Sequence, residues 1–175
     1  LAAALVIGLV HAWGSVRLFT ADHGPTVRVA AVVTTIGPGA AGPPPAVELA
    51  ANEDALFART RLAAARGAQV IVWNEAATVV APADEARLRA RGGAVARELG
   101  VELVMAYGVT VQTAPVRYDN KFVWFAADGA ELETYRKHHP VPGEPSLRGT
   151  APLIAHDHPW GRAAGAICYD YDFPA

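Results

Sequence analysis

With 175 residues, 52% of them hydrophobic, the chain has one domain's length and ample material for a packed core, which excludes disorder over the chain as a whole. Its 15 basic and 17 acidic residues are mixed along the sequence and leave a formal charge of -2, so no basic stripe points to nucleic acid and no acidic tail to a solvating arm. The single cysteine, Cys168, excludes an internal disulfide framework and a four-cysteine zinc site, and leaves a thiol that is buried, regulatory or catalytic.

Residues 1–14 form an apolar run, and the first charge is Arg17. The run is shorter than the roughly 20 apolar residues of a spanning helix. No basic segment precedes it, so it does not read as a complete secretory signal. Residues 1–16 are expected to be the trailing end of a transmembrane helix, with Trp13 and Arg17 at the interface, and residues 17–26 a polar linker holding Asp22, Gly24 and Pro25. A buried or interfacial helix is the alternative for the apolar run.

Residues 27–33, rich in Val and Ala, predict a strand covered on both faces, and the Pro/Gly-rich stretch 37–45 predicts a surface loop. Residues 48–66 carry Leu49, Leu56, Leu62 and Ala63 among charges and close on Gly67, the pattern of a capped helix. A short strand, 70–73, runs into Asn74 and Glu75. A second helix is predicted over 83–99, weakened at Gly92 and Gly93 and ended by Gly100, and another strand over 101–107. This β-α-β-α-β order favours an α/β sheet with crossover helices. Beyond it, 121–127 and 131–137 flank the hairpin signal Asp128-Gly129, and strands are expected at 153–156 and 162–167 around Pro159 and Gly161.

Glu75 stands just past a strand, where sites assemble in open α/β sheets, and could act as a base; the alternative is a loop acid capping the next turn. Cys168 follows Gly165-Ala166-Ile167, read as a small-residue strand that delivers a nucleophile into a sharp turn, with the Tyr169 N–H beside it for an oxyanion. A buried structural cysteine is the bland reading. Lys137, before His138-His139-Pro140, could hold positive charge beside a thiolate, although lysines are usually solvated. His156-Asp157-His158 would put two imidazoles on one strand face, as zinc requires, but no third ligand has suitable spacing, and a solvated turn before Pro159 and Trp160 is preferred.

Read together, Val70-Ile71-Val72-Trp73-Asn74-Glu75, Tyr135-Arg136-Lys137-His138-His139-Pro140-Val141-Pro142-Gly143-Glu144 and Gly165-Ala166-Ile167-Cys168-Tyr169-Asp170 resemble the three signature segments of the nitrilase superfamily, in the order Glu, Lys, Cys. The resemblance implies a catalytic set of Glu75, Lys137 and Cys168, with Glu144, Tyr169 and Asn120 in support and neither cofactor nor metal. It implies a four-layer α-β-β-α sandwich, of which residues 27–175 would be the N-terminal part, truncated at the C-terminal side. The preceding apolar segment and the spacing from Lys137 through Val141-Pro142 to Glu144 look most like the apolipoprotein N-acyltransferase branch. That branch usually has one more residue before the second glutamate, and Glu where this chain has Asp170. The resemblance further implies a small amide or acyl/lipid substrate, membrane contact through the N-terminal segment and an extracytoplasmic catalytic domain. A soluble amidase or nitrilase and a non-catalytic domain of the same fold are the rivals.

Overall fold

The computed structural model describes residues 2–20, 24–34 and 44–173. The Pro/Gly-rich loop falls almost wholly on 35–43, and the middle of the expected linker on 21–23, outside the described residues; Pro44 and Pro45 lead directly into a helix. Helix α1 spans Ala2–Thr20 and has no buried residue. It therefore continues through Arg17, where the sequence suggested a linker, because nothing in Arg17-Leu18-Phe19-Thr20 breaks a helix before Gly24-Pro25. The Thr20 hydroxyl donates to the Val16 carbonyl at 2.8 Å in its last turn.

After α1 come β1 (Val29–Val32), α2 (Ala46–Ala65), β2 (Val70–Trp73), β3 (Val79–Val80), α3 (Glu85–Leu99), β4 (Glu102–Thr113), β5 (Val116–Phe125) and β6 (Glu131–Arg136), and then β7 (Ala155–His158) and β8 (Gly161–Ala164). As predicted, α2 stops at Gly67, which adopts φ 84. The Ala68 N–H reaches the Ala63 carbonyl at 3.1 Å and the Gly67 N–H reaches that of Ala64 at 2.8 Å, so two orphan carbonyls of the last turn are satisfied. The two glycines expected to weaken α3 sit in an unbroken helix. A side chain on Gly92 would run into Met105 and the Phe125 ring, so their smallness lets α3 lie close on the sheet.

The sheet order is β1-β2-β4-β5-β6, with β3 also beside β4. Pairing is parallel among β1, β2, β3 and β4 and antiparallel from β4 to β6, as the change from crossover helices to a hairpin requires. Both long strands exceed their expected lengths: β4 continues past Gly108 and β5 starts at Val116, so Asn120 lies inside a strand and not before one. Alternation along the strands sends Leu103, Met105, Tyr107, Val123 and Phe125 to one face, where they pack with Leu56 and Phe57 of α2 and Leu88 and Val95 of α3. Ala106, Phe122, Trp124 and Tyr135 point to the other face, beneath Trp160 and Ala163 of the β7–β8 hairpin and Ile167. The layers run helix, sheet, sheet, which is the α-β-β part of the sandwich that the sequence suggested.

The hairpin corrects two expectations. His156 and His158 are strand residues packed on the sheet, not a solvated turn. His158 stacks between Trp124 and Trp160, with centroids 5.0 and 4.4 Å away, and its Nδ1 lies 2.9 Å from Glu102 Oε1. His156 Nε2 lies 3.2 Å from Glu133 Oε2. Each imidazole therefore faces its own carboxylate, and the pair does not converge as two ligands of one ion would. The last strand ends at Ala164, so Gly165-Ala166-Ile167 is extended chain without a ladder partner among the described residues. A Cβ on Gly165 would lie 2.6 Å from the Phe122 ring, and this segment passes over that ring instead of pairing.

Candidate active site

Glu75 sits on an extrusion of the sheet. From Val72 to Val79 the chain takes seven steps while its partner takes four, from Val104 to Gly108, so three surplus residues are pushed out between β2 and β3. The excursion is tied down on every side. The Asn74 N–H donates to the Val32 carbonyl at 3.0 Å, the Ala77 N–H to that of Ala106 at 3.1 Å, and Asn52 Nδ2 of α2 to that of Ala77 at 2.8 Å. Asn74 Oδ1 accepts the Thr34 N–H and Asn74 Nδ2 donates to the Glu75 carbonyl. Ala76 holds φ 48, a left-handed conformation that costs a non-glycine residue about 1–2 kcal/mol and is kept by these ties.

Lys137 directly follows β6. Its N–H donates to the Asn120 carbonyl at 2.8 Å and its carbonyl accepts the Gly149 N–H at 2.8 Å. The side chain is 1% exposed, and its Nζ donates to Glu75 Oε1 at 2.8 Å and to Glu144 Oε2 at 2.7 Å. Asn120 Nδ2 joins the same two carboxylates, at 2.7 Å from Glu75 Oε1 and 3.1 Å from Glu144 Oε1. Glu144 is the most heavily held: beyond those contacts its oxygens accept from Ser146 Oγ at 2.7 Å, from the Val141 N–H at 3.0 Å and from the Tyr118 hydroxyl at 3.5 Å.

Burial alone would push the Glu144 carboxyl up, but the donors led by Lys137 and Ser146 prevail and bring it down to about 2. Burial likewise opposes the Lys137 ammonium, and its bonds to Glu144 and Glu75 outweigh it, so Lys137 titrates above the ordinary lysine value. Burial next to Glu144 raises Tyr118 to about 12, which keeps its hydroxyl protonated as a donor. An ammonium has three protons, and the two glutamates take two of them.

Cys168 opens a short 3-10 turn, Cys168–Asp172, and adopts φ 48. Its thiol is exposed, against the reading of a buried structural cysteine. Desolvation pushes the thiol pKa up, and the Glu75 carboxylate pushes it further, by its charge and as a hydrogen-bond acceptor; Lys137 and the Tyr169 N–H pull the other way. At neutral pH the sulfur therefore keeps its proton, with a carboxylate placed to accept it. The structure thus brings Glu75, Asn120, Lys137 and Glu144 into one bonded cluster and puts Cys168 and the Tyr169 N–H beside it.

Sequence reasoning missed two members of this neighbourhood. Tyr118 and Ser146 carry no motif; they join through strand alternation and through the pairing of Tyr118 with Ser146. Asp170 was read as the end of a signature segment and a departure from one branch's pattern, with no role assigned, yet it is buried and accepts hydrogen bonds from four donors, with His139 Nδ1 also 3.2 Å away.

A family model described as carbon-nitrogen hydrolase matches residues 28–175. The chain belongs to the carbon-nitrogen hydrolase family. Glu75, Lys137 and Cys168 all lie within the matched span. Solved structures of similar fold include an amidase from Nesterenkonia sp., with a TM-score of 0.66 at 19% identity over 87% of this chain and 59% of that one. A variant of the amidase from Nesterenkonia sp. AN1 in complex with butyramide is similar at 0.66 and 18% identity over the same shares. A further variant of it, showing covalent addition of the acetamide moiety of fluoroacetamide at the active site cysteine, is similar at 0.66 and 18%. Identity at this level is a likeness of fold, and the chain spans 59% of the length of these amidases. A search of curated protein sequences gives no match. The family and the fold place the chain in the nitrilase superfamily.

Proposed function

We propose that this chain carries the nucleophile-bearing part of an enzyme that opens an amide or related acyl compound through a thioester on Cys168. The observation that carries the reading is the convergence of one carboxylate, one buried ammonium and one exposed thiol, with Glu75 acting on both of the others. As the sulfur attacks the carbonyl carbon, its proton passes to Glu75. Negative charge then grows on the carbonyl oxygen, where the third proton of Lys137 and the Tyr169 N–H can meet it. Collapse returns the proton from Glu75 to the leaving amine and leaves the thioester. Water or an amine next attacks the thioester and gives its proton to Glu75, and the departing sulfur recovers a proton from it. Glu144 and Asn120 hold Lys137 and Glu75 in place throughout, and Glu144, held near pKa 2, does not compete for the proton.

Whether water or an amine takes the acyl group decides between an amidase and an N-acyltransferase. Helix α1 favours a membrane-linked N-acyltransferase: it is 19 residues long, apolar enough to cross a bilayer, has Arg17 as its basic residue near the end, and buries nothing in the fold. In that reading the catalytic domain stands on the extracytoplasmic face. The amidase folds favour hydrolysis of small amides such as butyramide. The experiment is to incubate the full-length protein, in detergent and in vesicles, with butyramide and with an acyl ester lipid plus a peptide amine. Ammonia release from butyramide identifies the amidase and acylated peptide the transferase. Neither product, or equal turnover by Cys168→Ala, would refute the proposal.

A further inference from the structure

We propose that Asp170 is a positioning residue of this site: its carboxylate fastens the turn carrying Cys168 to the turn that follows Lys137, and thereby sets where the sulfur stands relative to Glu75. The inference rests on the thioester chemistry proposed for Cys168. Asp170 lies two residues beyond the sulfur, and its side chain is 2% exposed. Its Oδ1 accepts the N–H groups of His138 and His139 at 3.1 and 2.7 Å and faces His139 Nδ1 at 3.2 Å. Its Oδ2 accepts the Tyr135 hydroxyl at 2.9 Å and the Ile167 N–H at 3.2 Å. Four donors, two on each oxygen, match the roughly four lone-pair sites of one carboxylate.

These donors connect two segments that are distant in sequence and share no ladder. Ile167 immediately precedes Cys168, and its N–H bond to Oδ2 closes the nucleophile turn on itself. His138 and His139 immediately follow Lys137, whose backbone is pinned to Asn120 and Gly149. Phe173, just past the turn, stacks on His139 with centroids 3.9 Å apart, so the exit of the turn rests on the same segment. Because Gly165-Ala166-Ile167 has no strand partner among the described residues, this carboxylate anchors the backbone before the sulfur to the backbone after the lysine. A sulfur freed by even about 1 Å loses the alignment on which proton transfer to Glu75 depends. An amide cannot replace it, because its N–H₂ would face either the His138 and His139 N–H pair or the Ile167 N–H.

The test is alkylation of Cys168 by iodoacetamide, in which sulfur displaces iodide, followed across pH in the full-length protein and in Asp170→Asn. Glu75 raises the thiol pKa only while the sulfur stands against it, so in the variant the midpoint of the alkylation profile is expected to fall toward that of an ordinary thiol, while acyl turnover in the assay above drops by roughly 10- to 100-fold. Well above both midpoints, where the sulfur is a thiolate in either protein, the two alkylation rates should converge. An unmoved midpoint, or unchanged turnover, would overturn the positioning role. A wild type that yields neither ammonia nor acylated peptide would instead overturn the proposed function, and this inference with it. If Asp170→Asn does not fold, Tyr135→Phe, which removes one donor, decides by the same criterion: a lowered midpoint with reduced turnover supports the role and its absence refutes it.

Discussion

Replacing Lys137 with Met separates the energetic part of this account from the chemical part. Methionine is close to lysine in length and is unbranched, so it can follow the same buried path without the charge. It leaves behind Glu75 and Glu144, two carboxylates joined through one ammonium at 2.8 and 2.7 Å. Removing one partner of a buried ion pair costs about 3–5 kcal/mol. An independent figure comes from Glu144, whose pKa stands at about 2 against an ordinary 4.5. That gap corresponds to roughly 3 kcal/mol, shared among Lys137 and its other donors. Because the folded value is depressed, this stability is present above pH 4.5 and is lost as pH falls through 2. For Lys137, raised in the fold, stability is full below its ordinary 10.5 and is lost as pH rises through its higher value. Urea unfolding of wild-type and Lys137→Met full-length protein should therefore show a penalty of about 3 kcal/mol at pH 7 that shrinks to less than about half at pH 3. A penalty below about 1 kcal/mol at pH 7, or one that does not change between the two pH values, would refute the reasoning.

Glu75→Gln should lower amide turnover by roughly 10²–10⁴ while moving the pH midpoint of Cys168 alkylation downward, since the carboxylate that raises the thiol pKa is gone; an unmoved midpoint would count against their contact. Gly149→Ala drives a methyl into the Arg136 carbonyl next to Lys137, so thermal unfolding should fall by the equivalent of about 1–3 kcal/mol. His158→Ala removes the ring held between Trp124 and Trp160 and the partner of Glu102, and should destabilise by about 1–3 kcal/mol, measured by urea midpoint. Deleting residues 2–20 should release the protein from vesicles into the soluble fraction on flotation; retention would remove the membrane-linked reading.

How much of this was legible in the sequence depends on how local the determinants are. Strand β2, the C-cap at Gly67 and the hairpin at Asp128-Gly129 are set by short-range pattern, and they fall where the pattern puts them. The sites of Glu75, Lys137 and Cys168 were legible as three motifs. The surplus residues that push Glu75 out of the sheet were not, because they exist only relative to the register of β4. Strand β3 is two residues long and too short to carry a period. The Gly165-Ala166-Ile167 segment reads as a strand but lacks a partner among the described residues, since its path is set by the Phe122 ring. Asp170 shows the same limit: its donors Tyr135, His138 and His139 lie more than thirty positions away, and no local spacing announces them.

The most direct test of the central claim is peptide mapping by mass spectrometry after brief exposure of the full-length protein to fluoroacetamide at neutral pH. A fluoroacetyl thioester on Cys168 in the wild type after acid quench, formed with loss of ammonia, and its loss in both Glu75→Gln and Lys137→Met, which are left at most with direct displacement of fluoride, is the result expected if one carboxylate and one ammonium drive acyl transfer to that sulfur. An unmodified Cys168, or equal modification in all three proteins, would contradict it.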